Sequence, residues 1–195
     1  MTRPVWTPPA APAEVLEWGP VRLARWRAED VDEAFAAVDR SREHLARFLP
    51  WSRDYEHASA ASYVETSDTG WAERTAFNYR ICAEGIAAGR VLGSASLMAR
   101  RGADVLEIGY WVRSDVVRRG LAWRASAALT EAAFAVAPTA EIWICHDPAN
   151  QASARIPARL GYTRQAESVP GPPGFEHERD VCWTLSKKDW VPVRG

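Results

Sequence analysis

The pattern of apolar and polar positions changes its period twice along the chain. A short alternating segment at residues 21–26 is followed by apolar residues at helical spacing through residues 29–73. Alternation at every second position then returns over residues 77–112, in three runs separated by turns, which predicts an antiparallel meander. From residue 121 to residue 185, helical segments alternate with strand-like ones. The order β, α, α, α, β, β, β, α, β, α, β, β predicts a single mixed α/β (α+β) domain.

The same pattern sets the expected bounds of each element. Helices are predicted at residues 29–38, 41–48, 58–73, 121–136 and 151–160. Strands are predicted at residues 21–26, 77–83, 91–98, 105–112, 141–146, 162–169 and 180–185, with a Pro/Gly loop at 170–174. The first 14 residues contain four prolines and are predicted to form an extended, lightly held tail, which leaves the domain at residues 15–195.

Composition excludes several classes of protein. Hydrophobic residues at 47% and charged residues at 25% are globular values, and they exclude wholesale disorder. No run approaches the roughly 18 apolar residues of a membrane helix, and a net charge of −1 argues against a general nucleic-acid binder. The cysteines Cys82, Cys145 and Cys182 lie in apolar or alternating stretches, which favours buried thiols over disulfides. With no zinc-ligand spacing and no secretory signal, we expect a reduced, cytoplasmic protein without metal.

The segment that follows the predicted strand 105–112 indicates an anion site. That strand runs into a tight loop containing Gly120, and a helix begins at once. Such a loop presents backbone N–H groups at a helix N-terminus, where Arg118 and Arg119 add two cations. A phosphate or pyrophosphate is the natural guest. The alternative is an ordinary strand-to-helix connection with arginines that face solvent.

Three motifs in order resemble the GNAT acyltransferase superfamily, and within it the RimJ/RimL-type N-acetyltransferases. The family's acyl-CoA loop, Gln/Arg-x-x-Gly-x-Gly/Ala, is matched by residues 117–122. Its later Asn-x-x-Ser signature is matched by Asn150 and Ser153, followed by Leu-Gly-Tyr at residues 160–162. The Leu-Pro-Trp at residues 49–51 is similar to a segment that lies near the acceptor in this branch. The resemblance spans about residues 18–190.

This resemblance implies a GNAT fold, which is a twisted, mostly antiparallel sheet flanked by helices and splayed at the acyl-CoA site. Acetyl-CoA would be the co-substrate. The residues expected to bind it are Trp111, Val112, Arg113, Arg118, Arg119, Gly120, Leu121, Ala122, Asn150 and Ser153.

The sequence departs from the family pattern at four positions. Val117 replaces the usual Gln or Arg, Arg118 stands where glycine is common, and Trp123 is bulky enough to crowd the cofactor. Pro157 lies near the place where many of these enzymes carry a tyrosine that protonates the departing CoA thiolate.

Acyl transfer to an amine needs a proton acceptor and a proton donor, and the chain offers a candidate for each. Glu107, two residues before Gly109 on the strand that feeds the loop, is the candidate base; the alternative is an ordinary strand residue. Ser153 is the candidate acid, as the match to the RimL-type serine implies, or else a helix-capping hydroxyl. Trp51 and Trp71 are candidate walls of the acceptor cleft, although core packing is expected for at least one of them.

The resulting interpretation is an N-acetyltransferase that moves an acetyl group from acetyl-CoA to a primary amine. The acceptor is either a protein N-terminus, as in ribosomal-protein acetylation, or a small molecule. The alternative is a non-catalytic CoA-binding module that acts through partner contacts. Neither nucleic acid nor membrane is an expected partner, and a homodimer is left open. A serine-histidine-aspartate triad built on His146 and Asp147 is rejected, because the strand-turn motif of such a nucleophile is missing.

Overall fold

The computed structural model describes residues 7–86, 90–136, 138–166, 169–170 and 179–192. Within these ranges the strands of the main sheet lie in the order β1-β2-β3-β4-β5-β6-β9-β7, and β8 pairs with β9. The strands are β1 (Val15–Trp18), β2 (Val21–Arg25), β3 (Ala76–Ala83), β4 (Gly93–Met98), β5 (Val105–Val112), β6 (Glu141–His146), β7 (Thr163–Arg164), β8 (Val169–Pro170) and β9 (Arg179–Ser186).

The helices lie between these strands as the periodicity predicts. They are α1 (Val31–Asp39), α2 (Arg42–Leu45), α3 (His57–Glu73), α4 (Leu121–Ala135) and α5 (Gln151–Arg159). Single 3₁₀ turns occupy Ala28–Asp30, Pro50–Ser52, Ser114–Val116 and Lys187–Asp189. The second predicted helix, 41–48, is shortened to one turn of α-helix, and Pro50 follows in a 3₁₀ turn as the first residue.

The sheet is antiparallel except at one junction. Strands β1 to β5 form a continuous antiparallel meander, and β6 pairs antiparallel with β9. Strand β5 pairs parallel with β6, because α4 crosses over between them. The mostly antiparallel α/β fold expected from the sequence resemblance is confirmed.

Helices cover the two faces of the sheet, and β4 shows how the side chains divide. Ala95 and Leu97 are buried in the cluster that contains the inward side of α4. Ser94, between them, points to the opposite face, where its hydroxyl meets Tyr63 of α3. A second apolar cluster on this face includes Trp26 and Val38. The α3 face therefore offers hydroxyl groups and aromatic rings rather than a fully aliphatic core.

The predicted tail, residues 1–14, is held more firmly than expected over its described part. Arg74 donates to the carbonyl of Pro9 at 2.6 Å, and the hydroxyl of Tyr79 donates to the carbonyl of Ala13 at 2.8 Å. Glu14 forms an ion pair with Arg25 at 2.6 Å. Strand β1, which the sequence pattern missed, follows directly and pairs with β2.

The prediction that the cysteines are all unpaired is wrong for two of them. Cys145 on β6 and Cys182 on β9 lie directly opposite each other in the strand register and form a disulfide. They are 37 residues apart in the sequence, so their pairing depends on a strand order that apolar periodicity does not reveal. Cys82 is free and buried, as expected.

The end of the chain departs from the expected pattern. In place of the predicted strand 162–169, the described residues form β7, which covers two residues, and the start of β8 at Val169; residues 167–168 lie outside the described ranges. Of the predicted loop 170–174, residues 171–174 lie outside the described ranges. Within the described residues, none of the helices has the length and apolar character needed to cross a bilayer.

Candidate active site

The sheet opens between β5 and β6. Their parallel pairing covers Val105 to Ile108 on β5 and Glu141 to Ile144 on β6. Strand β5 continues for four more residues while still paired with β4 on its other edge, and β6 continues toward β9. The edge of β5 from residue 109 to residue 112 therefore carries backbone polar groups that no β6 partner satisfies. An extended ligand with amide groups can bind at such an edge.

The loop between β5 and α4 forms a cradle at the helix N-terminus. Arg118 and Gly120 both have left-handed backbones, with φ of 65° and 73°, so the chain turns back on itself there. Gly120 is the N-cap residue and provides no side-chain cap, which leaves the first N–H groups of α4 for a ligand. A Cβ atom on Gly120 would lie 2.6 Å from Nη1 of Arg124. The first residues of this 15-residue helix, Leu121 and Ala122, thus meet the conditions of an anion site.

Arg113, which was expected to bind the cofactor, is engaged within the protein. Its N–H donates to the carbonyl of Leu92 at 2.8 Å, and its guanidinium donates to Asp115 and to the carbonyl of Val91. The Arg113 hydrogen bonds hold the pKa of the Asp115 carboxyl below its usual value. These donors brace the loop from within the protein, and the expected contact of Arg113 with the cofactor stays a prediction.

The N-terminus of α5 places Ser153 next to the open edge of β5. The side-chain oxygen of Asn150 accepts from the Ser153 N–H at 3.1 Å, so Asn150 is the helix cap. The Ser153 hydroxyl is left for another partner, the hydroxyl of Tyr110, at 2.8 Å. Burial raises the pKa of Tyr110 above its usual range, even though the Ser153 hydrogen bond lowers it. Two linked, protonated hydroxyl groups therefore lie where β5 and α5 meet.

Pro157 contributes to this arrangement through the bond it cannot make. It lies within α5 and has no N–H, so the carbonyl of Ser153, four residues earlier, lacks its usual helical donor. The Tyr110 hydroxyl lies 3.3 Å from that carbonyl as a donor. A proline that appears disruptive in the sequence leaves an acceptor that holds Tyr110 against α5.

A cavity of about 510 Å³ opens on the α3 side of the sheet and reaches β5. It is lined by Trp26, Ala34, Leu49, Trp51, Tyr55, Ser59, Tyr63, Ser94, Ser96, Gly109, Tyr110 and Trp111. Every lining residue is aromatic, aliphatic or hydroxyl-bearing, or is glycine, so the described wall carries no carboxylate, imidazole or cationic group. Three of its residues, Gly109, Tyr110 and Trp111, also belong to the edge of β5 that parts from β6.

The two candidate tryptophans have different positions. Trp51 lines the cavity and is 46% exposed, with its ring centroid 5.5 Å from that of Tyr55 and 6.4 Å from that of Trp111. Trp71 is 5% exposed and packs edge-on against Phe77, and it does not line the cavity. The prediction for Trp71 is therefore corrected to a core residue.

Comparison with known proteins decides the family. The Acetyltransferase (GNAT) domain profile matches residues 21–163, which is well over half of the chain. This chain belongs to the GNAT acetyltransferase family. YdaF of Bacillus subtilis (strain 168), a candidate ribosomal N-acetyltransferase, is 25% identical over 168 residues, which cover 83% of this chain and 88% of YdaF.

Solved structures show the same fold. RimL, the ribosomal L7/L12 alpha-N-protein acetyltransferase in complex with coenzyme A, superposes with a TM-score of 0.77 at 16% identity, covering 89% of this chain and 98% of RimL. RimJ of Mycobacterium smegmatis, in complex with a CoA disulfide, gives 0.76 at 18% identity, covering 99% and 93%. The microcin C7 self-immunity acetyltransferase MccE, in complex with acetyl-CoA and AMP, gives 0.75 at 14% identity, covering 86% and 93%. Acetyl-CoA or a form of CoA is bound in all three of these structures.

Glu107 is not positioned as the base of this GNAT domain. It is 3% exposed and absent from the cavity wall, and its two carboxylate oxygens accept from Arg100 and Arg101. The Arg101 side chain is itself 8% exposed and stacks over the ring of Trp143, at 5.2 Å from its centroid. The Glu107 carboxylate is thus paired with two guanidinium groups and lies outside the described cavity wall.

Replacing Glu107 by glutamine tests which role it plays. The neutral amide removes the negative charge that faces Arg100 and Arg101 at a buried position, and we expect the free energy of unfolding to fall by about 3 kcal/mol in urea titrations. The pH dependence of the remaining activity should run parallel to that of the wild type. Glu17→Gln, at an exposed ion pair with Arg22, is the control and should change stability by less than about 1 kcal/mol. An activity deficit that shrinks as the pH rises would restore Glu107 as the base.

His146 is a structural histidine, in agreement with the rejection of a catalytic triad. Its Nδ1 lies 2.9 Å from the carbonyl of Asp147, and its Nε2 accepts from the indole of Trp183 at 3.1 Å. Since Nε2 accepts, Nδ1 donates to that carbonyl. Both nitrogens are used, and Ser153 bonds to Tyr110 instead.

Sequence reasoning missed Tyr110 and Tyr63 as residues of the site. Tyr110 lies on a strand, where successive side chains point to opposite faces of the sheet. This alternation shows that its side chain faces away from Trp111, but it does not show which helix the side chain contacts. Tyr63 lies on α3, and its role depends on the serines of β4. One signal in the sequence could have pointed to Tyr110. No tyrosine lies near Pro157, so a hydroxyl group that protonates the CoA thiolate would have to come from another part of the fold.

Proposed function

We propose that this GNAT domain binds acetyl-CoA along the open edge of β5 and acetylates a primary amine that enters through the aromatic cavity. The proposal rests on one observation: Gly109, Tyr110 and Trp111 belong to two features of the site at once. They form the edge left free by β6 and also line the cavity. A thioester held at that edge would thus face an amine held in the cavity, with the reacting atoms brought together by binding alone.

The chain offers matching groups for three parts of acetyl-CoA: the pyrophosphate, the pantetheine arm and the thiol end. The left-handed residues Arg118 and Gly120 and the uncapped N–H groups of α4 fit the pyrophosphate. The free backbone edge from residue 109 to residue 112 fits the amide groups of the pantetheine arm. Ser153 and Tyr110 lie beside that edge, where the thiol end would arrive. These residues bind, orient and donate hydrogen bonds, and the activated acyl group comes from the co-substrate.

The described residues of the site include hydroxyl groups that can donate hydrogen bonds, but the cavity wall carries no side chain that would act as a base at neutral pH. Burial raises the pKa of Tyr55 to about 12, and it raises the pKa values of Tyr63 and Tyr110 above their usual range. These hydroxyl groups stay protonated at neutral pH and can donate, but they cannot act as bases there. The amine therefore reacts as the free base after losing its proton to water. Its nitrogen attacks the thioester carbon and the C–S bond breaks. Ser153 with Tyr110 stabilises the departing thiolate, which takes up the proton that the nitrogen loses on becoming an amide.

Two acceptor classes are supported by different observations. The names of YdaF and RimL support an α-amine at a ribosomal-protein N-terminus. The uncharged aromatic wall supports an amine attached to an apolar body. Both acceptors present the same nitrogen to the same thioester.

The pH dependence of kcat/KM tests the proposal without knowledge of the natural acceptor. If no side chain takes the proton, kcat/KM rises tenfold per pH unit until the acceptor's own pKa is reached. It should level near pH 8 for an α-amine and continue toward pH 10 for an alkylamine, as their pKa values of about 8 and about 10 require. Acceptors of different pKa that level off at one common pH between about 6 and 7 would show an enzymic base and contradict this mechanism.

A further inference from the structure

The wall of the acceptor cavity is aromatic and carries no charged group in its described part, so it favours ligands with apolar surface. A volume of about 510 Å³ lies within the range of small-molecule sites, and six of the lining residues are aromatic. Trp26 packs edge-on against Tyr63, with ring centroids 5.8 Å apart, and Trp51 continues the ring cluster to Tyr55 and Trp111. Such rings bury apolar area and attract cations over their faces, but they offer a carboxylate no donor of full charge.

The mouth of the cavity carries an unusual exposed side chain. Trp51 is one of three large hydrophobic residues that are exposed in the described part of the chain, together with Val15 and Val191. It follows Pro50 in a 3₁₀ turn, and proline fixes the backbone that presents the ring. An indole held in this way at a cavity entrance gains stability when a ligand covers it.

The polar groups at the inner end suit an amine. The hydroxyl of Ser94 donates to the carbonyl of Tyr79 at 3.0 Å, so Tyr63 must donate to Ser94 across their 2.9 Å contact. The Tyr63 oxygen then retains lone pairs that can accept an N–H from a bound amine. Ser96, also in the wall, supplies a second hydroxyl. The cavity thus pairs hydrogen-bond acceptors for an amine with apolar walls for whatever carries it.

We infer that the preferred acceptor is a primary amine carried on an aromatic or bulky aliphatic body with no carboxylate inside the cavity. This inference rests on the proposed function and narrows its substrate class. An amine on a small body, such as an N-terminal alanine or serine, would leave most of the aromatic wall in contact with water. Two sources share the favoured chemistry: a free arylalkylamine, or a peptide whose first residue is large and apolar.

Five acceptors, three small amines and two peptides, test the inference. We expect kcat/KM for 2-phenylethylamine to exceed that for ethanolamine by about 10- to 100-fold, since the pocket buries the phenyl ring. The matched compound 4-(2-aminoethyl)benzoic acid, which adds only a ring carboxylate, should lose most of this advantage. Peptides that begin with phenylalanine or with serine separate the two sources: activity with the phenylalanine peptide alone indicates a protein N-terminus, and activity with the free amine indicates a small molecule.

A pair of tryptophan variants ties the preference to the cavity. Trp51→Ala should lower the ratio of kcat/KM for 2-phenylethylamine over ethanolamine about tenfold. Trp190→Ala, which removes an indole packed on Phe134 outside the cavity, should leave the ratio unchanged. Because the ratio is measured on one preparation, it does not depend on how much of a variant is folded.

The outcomes separate this inference from the proposed function. Equal or better turnover of ethanolamine, the carboxylated amine or the serine peptide overturns the inference and leaves the acetyltransferase proposal standing. No turnover of any amine, with acetyl-CoA bound, overturns the proposed function and the inference that rests on it. Equilibrium binding to the CoA complex is an independent check: 2-phenylethylamine should bind at least about tenfold more tightly than ethanolamine, and equal binding would also overturn the inference.

Discussion

Replacing Gly120 by proline should raise the dissociation constant for CoA by about 100-fold or more. Proline fixes φ near −65°, whereas Gly120 has φ of 73°, so the loop cannot keep its turn. The substitution also removes one N–H from the cradle. Hydrogen bonds to charged groups contribute roughly 1.5–3 kcal/mol each, so misplacing two of them gives a change of this size. Titration calorimetry with CoA measures it.

Arg119→Ala is the matched control for the loop. Arg119 is exposed and its side chain adds charge without shaping the turn, so CoA affinity should fall by less than about fivefold. Circular dichroism on both variants checks that the fold persists. Equal and negligible changes in CoA affinity from the two substitutions would show that the loop is only a connection between β5 and α4.

Removing the Ser153 hydroxyl should slow acetyl transfer about 10- to 100-fold in single-turnover experiments, with little change in acetyl-CoA binding. The thiol of CoA has a pKa near 8.5, so the thiolate leaves readily but carries a full charge that a buried hydroxyl can stabilise. Tyr110→Phe should produce a loss of similar size, because the two hydroxyl groups form one hydrogen-bonded unit. The double variant should then be little worse than either single one.

Helix capping is tested separately from chemistry at this site. The side chain of Asn150 makes the cap, so Asn150→Ala should cost roughly 1 kcal/mol of stability, while Ser153→Ala leaves that cap in place. Ser153→Cys should recover part of the lost rate. A single-turnover rate for Ser153→Ala equal to that of the wild type would make Ser153 a structural residue.

The parts of the site predicted from sequence are those defined by local backbone rules. A glycine between a strand and a helix predicted a tight loop, and Gly120 is left-handed there. Arg118, which departs from the glycine common at its position, is left-handed as well. The segment Asn150 to Ser153 follows a strand and begins a helix, which local signals also show. In these places the sequence neighbours are also the spatial neighbours.

The parts that sequence reasoning missed depend on contacts between distant segments. Tyr110 and Ser153 are 43 residues apart and meet because β5 parts from β6 next to α5. Cys145 and Cys182 pair across strands whose order follows from the whole sheet. The environment of Glu107 was misjudged for the same reason, since Arg101 reaches it from a turn that the alternation pattern places only roughly.

The most direct measurement of the central claim is thiol release from acetyl-CoA in the presence of a panel of primary amines. Mass spectrometry of the same reactions identifies the products. The panel includes 2-phenylethylamine, ethanolamine and peptides with different first residues, and the Gly120→Pro variant serves as the background. We predict amine-dependent thiol release together with an equal amount of N-acetylated product, both strongly reduced in the variant. Acetyl-CoA that binds but is never consumed with any amine would contradict the account.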